Sequence, residues 1–431
     1  MLPSAGMLDP RSLGERRAEV AESCRRRGVR ADVDAAVAAY ERVAALRTEL
    51  AEANRLRNEH QKGVKRAGAD PAEREAHAAE GRRLKQLVSD LEEALQHAER
   101  TLGGAMAGIP NLIHPEVPDG GEAEARELRR FGSPSRFGFT PLDHLQLGER
   151  LELIDFDAGT RVAGAKFYYL RNEAVLLELA LERMALDQAR AEGFRLFATP
   201  DLARPEIVDA LGFNPRGAET QIYSIADHDL CLVGTAEITL GGLYADALLD
   251  EAELPIKLAG LSHCFRTEAG SYGRESKGLY RVHQFSKVEL FALTRPEDSE
   301  AMHGELLAVE ERYFQALEIP HRVVDIAAGD LGAPAYRKFD IEAWMPGRQG
   351  GSWGEVTSAS NCTDYQARRL GARFRRAGAK KTEFVHMLNG TAVAVSRALV
   401  ALFENHQRAD GSIGIPKALA RYTGFDHIGP R

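Results

Sequence analysis

Charged residues stand inside two apolar, strand-like runs of this 431-residue chain, "FRTEAG" and "YRVHQFSKVELF". The first run contains Arg266 and Glu268, and the second contains Glu289. Glycine and serine punctuate the charged segment between them, so we predict a long hairpin with a mobile tip at Gly270 to Gly278. Because successive side chains of a strand point to opposite sides, we expect Arg266 and Glu268 on the same face.

Two interpretations of this hairpin are open. The residues that share one face of the second strand are Arg281, His283, Phe285, Lys287 and Glu289. That face could be solvated, in which case its cross-strand ion pairs would contribute little to stability. It could instead be the floor of a binding site for a ligand that is both anionic and aromatic, because guanidinium groups suit phosphates and Phe285 offers a stacking surface.

Three further segments carry polar groups where a sheet or helix should be apolar. They are "VGTAEITL" with Thr235 and Glu237, "WGEVTSASN" with Glu355 and Ser358, and "HMLNGTAVAVSRALV" with Asn389, Thr391 and Arg397. Each alone is explained by a solvated sheet edge or helix surface. Their combination with the hairpin favours a binding site.

The remaining pattern predicts a mixture of helices and strands. Helices are expected at Lys166 to Glu192, Ser299 to Leu317 and Thr391 to Gln407. Strands are expected at Phe197 to Pro200, Leu230 to Thr235, Val323 to Ile326, Arg337 to Trp344 and Gly354 to Ser360, besides the hairpin. Strands that cluster without alternating with helices predict an α+β fold, with a mainly antiparallel sheet flanked by helices. No phosphate-binding loop of the G-x-x-x-x-G-K-[ST] or G-x-G-x-x-G type is present.

The N-terminal quarter predicts a different architecture. Apolar residues recur at three- and four-residue steps from Val33 to Arg66 and again from Leu84 to Leu102, and the segment "AGADPAER" interrupts them. This pattern is typical of an antiparallel coiled-coil hairpin with helices of about 50 Å. Such a hairpin could project as an arm, or it could be a dimerisation hairpin or a packed helical pair. We expect the arm in residues 1–105, a linker at Gly108 to Arg126, and a second domain in 106–431.

The charge is unevenly distributed along the chain. The net charge is -8, and the hydrophobic content of 44% is normal for a globular protein. Residues 1–105 contain 19 Lys+Arg and 18 Asp+Glu, a balance of +1, whereas the rest contains 37 and 46, a balance of -9. A nucleic acid would therefore find a better electrostatic contact on the N-terminal part.

Cysteine usage and hydropathy indicate the compartment. The four cysteines lie far apart without metal-ligand spacing, so we expect reduced thiols in a cytoplasmic protein. No apolar run of 18 residues or signal-like leader occurs, so no membrane association is expected. Met7 is a candidate second start site, and residues 1–6 are expected to carry no function.

These motifs together resemble the seryl-tRNA synthetase family of class II aminoacyl-tRNA synthetases. "FRTEAG" with "RVHQFSKVE" resembles the motif 2 hairpin, "FATPDL" motif 1, and "NGTAVAVSRALVALFENHQ" motif 3. "TAE", "SASNCTDYQARR" and "IPNLIHPEVP" match further family segments, so the likeness covers Met7 to Gln407. Thr391 stands where many bacterial members carry serine, which keeps the hydroxyl group.

The resemblance implies serine activation by ATP and assigns the ATP-binding residues. Arg266 would grip the α-phosphate and Arg281 the distal phosphates, and Phe285 and Arg397 would sandwich the adenine. Glu268 and the backbone at Val282 would meet the base. The implied ATP set is completed by Thr267, Glu355, Val356, Thr357 and Ser358. Of these, Glu355 and Ser358 would supply oxygen ligands to Mg²⁺.

The resemblance also assigns the amino-acid site. Thr235, Ala236 and Glu237 would hold the α-amino group of L-serine, with Glu289, Asn389 and Thr391 on the amino and hydroxyl side. Such a polar pocket rejects alanine and glycine because its own groups would be left unpaired, while threonine must be excluded by shape.

The implied partners are a serine tRNA and a second copy of the chain. The motif 1 region around Phe194 to Leu202 would form the homodimer interface, and the arm would contact the tRNA. Selenocysteine tRNA stays open as a second acceptor. Two other functions are also open, a catalytically weak paralogue that only binds tRNA, and an enzyme that transfers the seryl group to a different acceptor.

Overall fold

The chain folds into two units, a helical unit that extends to Leu112 and a mixed unit that covers Ile113–Arg431. The computed structural model describes residues 9–63, 71–213, 221–269 and 278–430. The predicted hairpin tip, except for Gly278, lies outside the described residues. The same is true of Met7 and of Lys65 and Arg66 in the predicted arm.

The N-terminal unit is a helical hairpin. Its helices are α1 (Arg17–Arg26), α2 (Val33–Gly63) and α3 (Pro71–Ala107). An ion pair joins Arg47 of α2 to Glu99 of α3 at 2.8 Å, and the rings of His60 and His77 stack with centroids 3.7 Å apart. The seam between these antiparallel helices contains Val43, Leu46, Leu91, Ala94, Leu95, Ala98 and Leu102. The predicted coiled-coil hairpin is therefore confirmed.

The second unit is built on an eight-stranded sheet. The helices are α4 (His144–Arg150), α5 (Phe156–Ala163), α6 (Glu173–Ala191), α7 (Pro205–Ala210), α8 (Ala236–Gly242), α9 (Ser299–Ala316), α10 (Tyr365–Leu370), α11 (Val395–His406) and α12 (Lys417–Thr423). The strands are β1 (Arg126–Phe131), β2 (Ile154–Asp155), β3 (Tyr169–Leu170), β4 (Arg195–Ala198), β5 (Leu202–Ala203), β6 (Cys231–Leu232), β7 (Leu248–Asp250), β8 (Ile256–Phe265), β9 (Gln284–Thr294), β10 (His321–Asp325), β11 (Arg337–Met345), β12 (Ser352–Asn361), β13 (Arg373–Arg375), β14 (Thr382–Phe384), β15 (His386–Ala394), β16 (Ile413–Gly414) and β17 (His427–Ile428).

The main sheet is antiparallel except at one edge. Its strand order is β1-β10-β11-β12-β15-β9-β8-β4, and only the edge pair β4–β8 is parallel among its described pairings. Smaller sheets are formed by β14-β13-β7, β16-β17, β2-β3 and β5-β6. The predicted α+β fold with a mainly antiparallel sheet is thus confirmed.

Helices cover both faces of the sheet. Leu290 of β9 packs in a core with residues of α6, α9 and α11, whereas its neighbour Phe291 packs in a second core with residues of α7, α8 and α10. This division follows from the alternation of side chains along a strand. Glu289 and Phe291 share the face that carries α8 and α10, so the candidate site lies on that side.

Three predicted element boundaries are wrong. The helix predicted from Lys166 starts at Glu173, because Tyr169 and Leu170 pair with β2. Thr391 ends up in β15, where it pairs with Glu289, and helix α11 starts only at Val395. The strand predicted up to Thr235 covers only Cys231–Leu232, since Thr235 caps the N-terminus of α8 with its hydroxyl group.

The four cysteines are buried free thiols, as predicted. In the described part of the chain, no helix combines the length and the apolar character that crossing a bilayer requires.

Candidate active site

The charged ends of the hairpin lie beyond its strands. β8 ends at Phe265 and β9 starts at Gln284, so the prediction that Arg266, Glu268 and Arg281 are strand residues is wrong. Arg266 N still donates to His283 O at 3.0 Å. Glu268 has a left-handed backbone with φ of 51°, which no strand residue adopts. The guanidinium and carboxylate groups therefore lie at the loop end of the hairpin, just beyond its two strands.

A cavity at this end brings most of the predicted ATP residues together. Its lining includes Arg266, Glu268, Arg281, Val282, Phe285, Glu355, Val356, Thr357, Thr391 and Arg397, together with Tyr280, Lys287, Ala394 and Ser396. The Arg266 guanidinium lies 5.4 Å from the centroid of the Phe285 ring. Three arginines and an aromatic ring in one cavity fit a ligand that is anionic and aromatic.

Arg397 and Glu355 form the wall opposite the hairpin. Arg397 Nη1 lies 3.0 Å from Glu355 Oε1 and donates to the Glu355 carbonyl at 3.2 Å. The guanidinium also lies 4.9 Å from the centroid of Tyr280. Burial by itself would raise the pKa of the Glu355 carboxyl group. The positive charge of Arg397 outweighs this effect and lowers the pKa to about 2. Glu355 is thus a fixed negative charge at neutral pH.

A buried polar cluster joins β9 to β15. Lys287 Nζ forms an ion pair with Glu289 and lies 3.5 Å from the hydroxyl group of Thr391. The Thr391 hydroxyl also lies 3.4 Å from Glu289 Oε2. All three residues are at most 8% exposed. A small hydroxyl-bearing ligand next to Thr391 would therefore meet a charged, desolvated surface.

A second buried cluster surrounds Glu237 at the first turn of α8. Glu237 Oε1 accepts hydrogen bonds from Gln366 Nε2 at 2.6 Å and Asn389 Nδ2 at 2.9 Å. Its backbone N–H donates to the Thr235 hydroxyl at 3.2 Å. Burial raises the pKa of Glu237 to about 7, and the carboxylate of Glu289 adds to this effect. A bound cation would lower that pKa and ionise the carboxyl group.

Three other predicted residues, Ala236, Thr267 and Ser358, are not among the residues that line the cavity. Ala236 is the buried first residue of α8, and Thr267 N donates to Gln221 O at 3.0 Å. Ser358 of β12 lies opposite Asp340 of β11. The described ranges contain no group of three His, Cys, Asp or Glu residues that could hold a metal ion. A carboxylate at Glu355, 41% exposed, and a hydroxyl at Ser358 fit a hard cation that takes its other ligands from water and a bound phosphate.

Comparison with known proteins identifies the family. Residues 222–406 match the tRNA synthetase class II core domain (G, H, P, S and T), and residues 7–113 match the seryl-tRNA synthetase N-terminal domain. The serine–tRNA ligase of Treponema denticola is 51% identical over 98% of this chain and 100% of its own length. This chain belongs to the seryl-tRNA synthetase family.

Other members of the seryl-tRNA synthetase family agree with this assignment. The serine–tRNA ligase of Rubrobacter xylanophilus is 54% identical, and the match covers 98% of this chain and 99% of that protein. The crystal structure of the seryl-tRNA synthetase from Pyrococcus horikoshii complexed with ATP superimposes with a TM-score of 0.88 at 39% identity. That match covers 98% of this chain and 100% of the other.

Sequence reasoning missed two residues of the candidate site. Gln366 donates a hydrogen bond to Glu237, and the ring of Tyr280 lies 4.9 Å from the Arg397 guanidinium. Lys287, which forms an ion pair with Glu289, lies on the predicted face of β9 with Phe285, but the sequence predicts no role for it. Gln366 and Tyr280 lie in irregular or short helical segments, where no periodicity marks a side chain as inward.

Proposed function

We propose that this chain activates L-serine with ATP and transfers the seryl group to the 3′ end of a serine tRNA. The observation that carries the proposal is a single sheet face on which an arginine-lined cavity borders two buried polar clusters, around Glu237 and around Glu289. The first suits a nucleoside triphosphate, and the second suits a small amino acid with a hydroxyl group. The related Pyrococcus enzyme binds ATP.

The ATP site is assigned to the cavity. Arg266 would neutralise the α-phosphate and Arg281 the distal phosphates, while adenine would lie between Phe285 and Arg397. Arg281 is held 3.5 Å from Glu268 and Arg397 is held by Glu355, so both guanidinium groups are oriented before ATP arrives. The residues assigned to the base and to the sides of the pocket are Thr267, Glu268, Val282, Val356 and Thr357.

The serine site is assigned to the polar clusters. The α-ammonium group would bind Glu237 and the backbone near Thr235 and Ala236, and Asn389 would hold the Glu237 carboxylate. The hydroxyl group would meet Thr391 and Glu289. A substrate without the hydroxyl leaves these buried groups unpaired, which disfavours alanine and glycine.

The reaction follows from these positions. A serine carboxylate oxygen attacks the α-phosphorus, an O–P bond forms, and the bond to the bridging oxygen of pyrophosphate breaks. A ribose hydroxyl of the terminal tRNA nucleotide then attacks the carbonyl carbon, its proton is lost, and AMP leaves. The chain contributes orientation of both substrates and stabilisation of the charge on the α-phosphate by Arg266.

Glu355 and Ser358 are proposed to hold Mg²⁺ with the ATP phosphates. When bound, the ion supplies charge neutralisation at the phosphate oxygens. The ionised Glu355 side chain is 41% exposed, so its second oxygen can bind the ion while Oε1 stays paired with Arg397 Nη1.

A homodimer is proposed from an exposed apolar face. The exposed large hydrophobic residues of this face are Val175, Leu176 and Leu179 on α6, Leu196 on β4 and Leu202 on β5, which are 39 to 56% exposed. β4 is an edge strand of the main sheet. Exposed apolar side chains on and near an edge strand favour association with a second copy. Sedimentation should find a dimer, and a stable active monomer at micromolar concentration would refute it.

The N-terminal helices are proposed to bind tRNA in the cytoplasm. Exposed cations on this unit include Arg25 and Arg30 near α1 and Arg55 and Lys62 on α2. Arg27, in the same arginine-rich segment, is by contrast only 6% exposed and donates from Nη2 to Leu112 O at 3.1 Å. Arg27 is therefore assigned to the packing of the unit and not to tRNA.

Amino-acid-dependent exchange of labelled pyrophosphate into ATP tests the first half-reaction. The purified chain with ATP and Mg²⁺ should catalyse exchange with serine. Exchange with alanine, glycine or threonine should be lower by about two orders of magnitude or more. Equal exchange with all four amino acids, or none with serine, would overturn the proposed activity.

A further inference from the structure

Gln366 of α10 is fully buried and donates from one nitrogen to two oxygen atoms. Its Nε2 lies 2.6 Å from Glu237 Oε1 and 3.1 Å from Leu211 O. The other end of the amide, Oε1, is buried without a hydrogen-bond partner among the described residues. A buried unpaired oxygen costs free energy, and an apolar side chain of similar length would avoid that cost. The amide must therefore contribute through the groups that its nitrogen holds.

The two donors that hold Glu237 act on the same oxygen. Gln366 and Asn389 approach from α10 and β15, and both bond to Oε1. Among the described residues, both side-chain hydrogen bonds of Glu237 end on Oε1 and none reaches Oε2, and the residue keeps 7% of its surface exposed. With Oε1 fixed at two points, the carboxylate plane is fixed, and Oε2 is the oxygen that can accept a hydrogen bond from a ligand.

The hydrogen bonds to Oε1 also affect whether Glu237 is ionised, because its carboxyl group is buried among other charged groups. Burial raises the pKa of Glu237 to about 7, and Glu289 of β9 contributes in the same direction. Gln366, Lys287 and Arg266 act in the opposite direction. Two buried thiols also lie near the cluster: Cys362, whose Sγ lies 3.6 Å from Asn389 Nδ2, and Cys264, which interacts with the charges of Lys287 and Glu289. Loss of the Gln366 donor would leave the carboxyl group protonated at higher pH.

We infer that Gln366 is a positioning residue for serine activation, which holds Glu237 so that Oε2 faces the α-ammonium group of the substrate. This inference rests on the proposed function, because it takes serine as the ligand. Gln366 touches neither ATP nor the reacting atoms. It acts on substrate affinity through the orientation and charge of Glu237.

Gln366→Met tests the inference because it keeps the length of the side chain and removes both donors. Pyrophosphate exchange at pH 7 should show a serine KM raised about tenfold or more, with the ATP KM changed less than about twofold. The pH profile of kcat/KM for serine should move to higher pH. The control, Gln188→Met, removes a partly buried amide that donates to Val309 O at 2.8 Å outside the site, and it should change neither parameter.

A double mutant separates positioning from packing. In a Glu237→Gln background, Gln366→Met should raise the serine KM by less than about twofold, because the group that it positions is absent. If Gln366→Met raises the serine KM in the Glu237→Gln background as much as it does in wild type, Gln366 acts through the fold. That result would overturn the inference. An unchanged serine KM in the single mutant would overturn it equally.

Gln366→Glu covers the case in which Gln366→Met does not fold. A protonated glutamic acid can donate to Glu237 Oε1, whereas an ionised one repels it, so activity with serine should survive near pH 6 and fall steeply by pH 8. If the ratio of the variant's activity with serine to that of wild type does not change between pH 6 and pH 8, the inference is contradicted. Absence of serine-dependent exchange in the wild type would instead refute the proposed function itself.

Discussion

Arg397 Nη1 lies 3.0 Å from Glu355 Oε1, while the same guanidinium lies 4.9 Å from the centroid of the Tyr280 ring. The two contacts restrain the guanidinium, because the carboxylate pairs with one of its nitrogens and the ring lies within cation–π distance. Arg397, Tyr280 and Phe285 all line the cavity. This arrangement is what a stacking partner for a planar base requires.

Arg397→Lys should weaken ATP binding while it keeps the positive charge. An ammonium group cannot stack as a plane or hold two contacts at fixed angles. We expect the ATP KM in pyrophosphate exchange to rise about tenfold or more, with the serine KM changed less than about threefold. The control, Arg421→Lys, alters an exposed arginine that lies 4.6 Å from the Tyr422 ring outside the cavity. An ATP KM unchanged in Arg397→Lys would remove this residue from the ATP site.

Thr391→Val should impair serine recognition selectively. The substitution keeps the shape and removes the hydroxyl that contacts Lys287 at 3.5 Å and Glu289 at 3.4 Å. The serine KM should rise about 10- to 100-fold, because the buried Lys287–Glu289 ion pair loses the hydroxyl group of Thr391 on the side that faces the substrate. Thr391→Ser keeps the hydroxyl and should stay close to wild type. If Thr391→Ser loses activity while Thr391→Val keeps it, the methyl group and not the hydroxyl is what matters.

Glu310 should make the fold less stable as the pH rises. Its carboxyl group on α9 is fully buried, and both oxygens lack a hydrogen-bond partner in the described part of the chain. Burial raises its pKa well above the ordinary value. A carboxyl group that stays protonated when folded but ionises when unfolded favours unfolding above the unfolded pKa, by up to about 1.4 kcal/mol per pH unit.

Glu310→Gln removes this ionisation and keeps the shape. The variant should therefore gain stability over wild type in urea unfolding, and the gain should grow between pH 5 and pH 8. Glu300→Gln, on the same helix with a side chain 74% exposed, should show little change at either pH. A wild-type free energy of unfolding that rises relative to Glu310→Gln over this range would mean that Glu310 is ionised in the folded protein.

Charge reversal on the N-terminal unit should separate tRNA binding from serine activation. Arg30→Glu with Lys62→Glu replaces two exposed cations. The tRNA KM in aminoacylation should rise about tenfold or more and become less sensitive to salt, because fewer phosphate contacts release counterions. Pyrophosphate exchange should stay within about twofold. Arg421→Glu, an exposed arginine of the second unit, serves as the matched reversal, and equal losses from both would argue against a dedicated tRNA surface.

Much of the architecture could be predicted because it depends on local periodicity. The helical hairpin followed from heptad spacing, and Phe285 and Glu289 followed from alternation along β9. The errors lie where tertiary contacts override local preference. Thr391 belongs to β15 because β15 pairs with β9, although the local sequence that starts at Thr391 predicts a helix.

The missed site residues have the same physical origin. Gln366 reaches Glu237 across 129 positions of the sequence, and Arg397 meets the backbone of Tyr280 across 117. Such contacts leave no mark in the local pattern. The neighbours of Glu268 predict a strand residue, but its left-handed backbone, with φ of 51°, is incompatible with a strand. Only the folded sheet shows which polar groups share a face.

Aminoacylation of tRNA tests the central claim most directly. Total tRNA should be incubated with the purified chain, ATP, Mg²⁺ and one labelled amino acid at a time, and acid-stable label on the tRNA should be measured. The account predicts that label accumulates with serine only, that it depends on ATP, and that it resides on serine-accepting tRNAs. Label from another amino acid, or serine-dependent pyrophosphate exchange without any charging of tRNA, would contradict it.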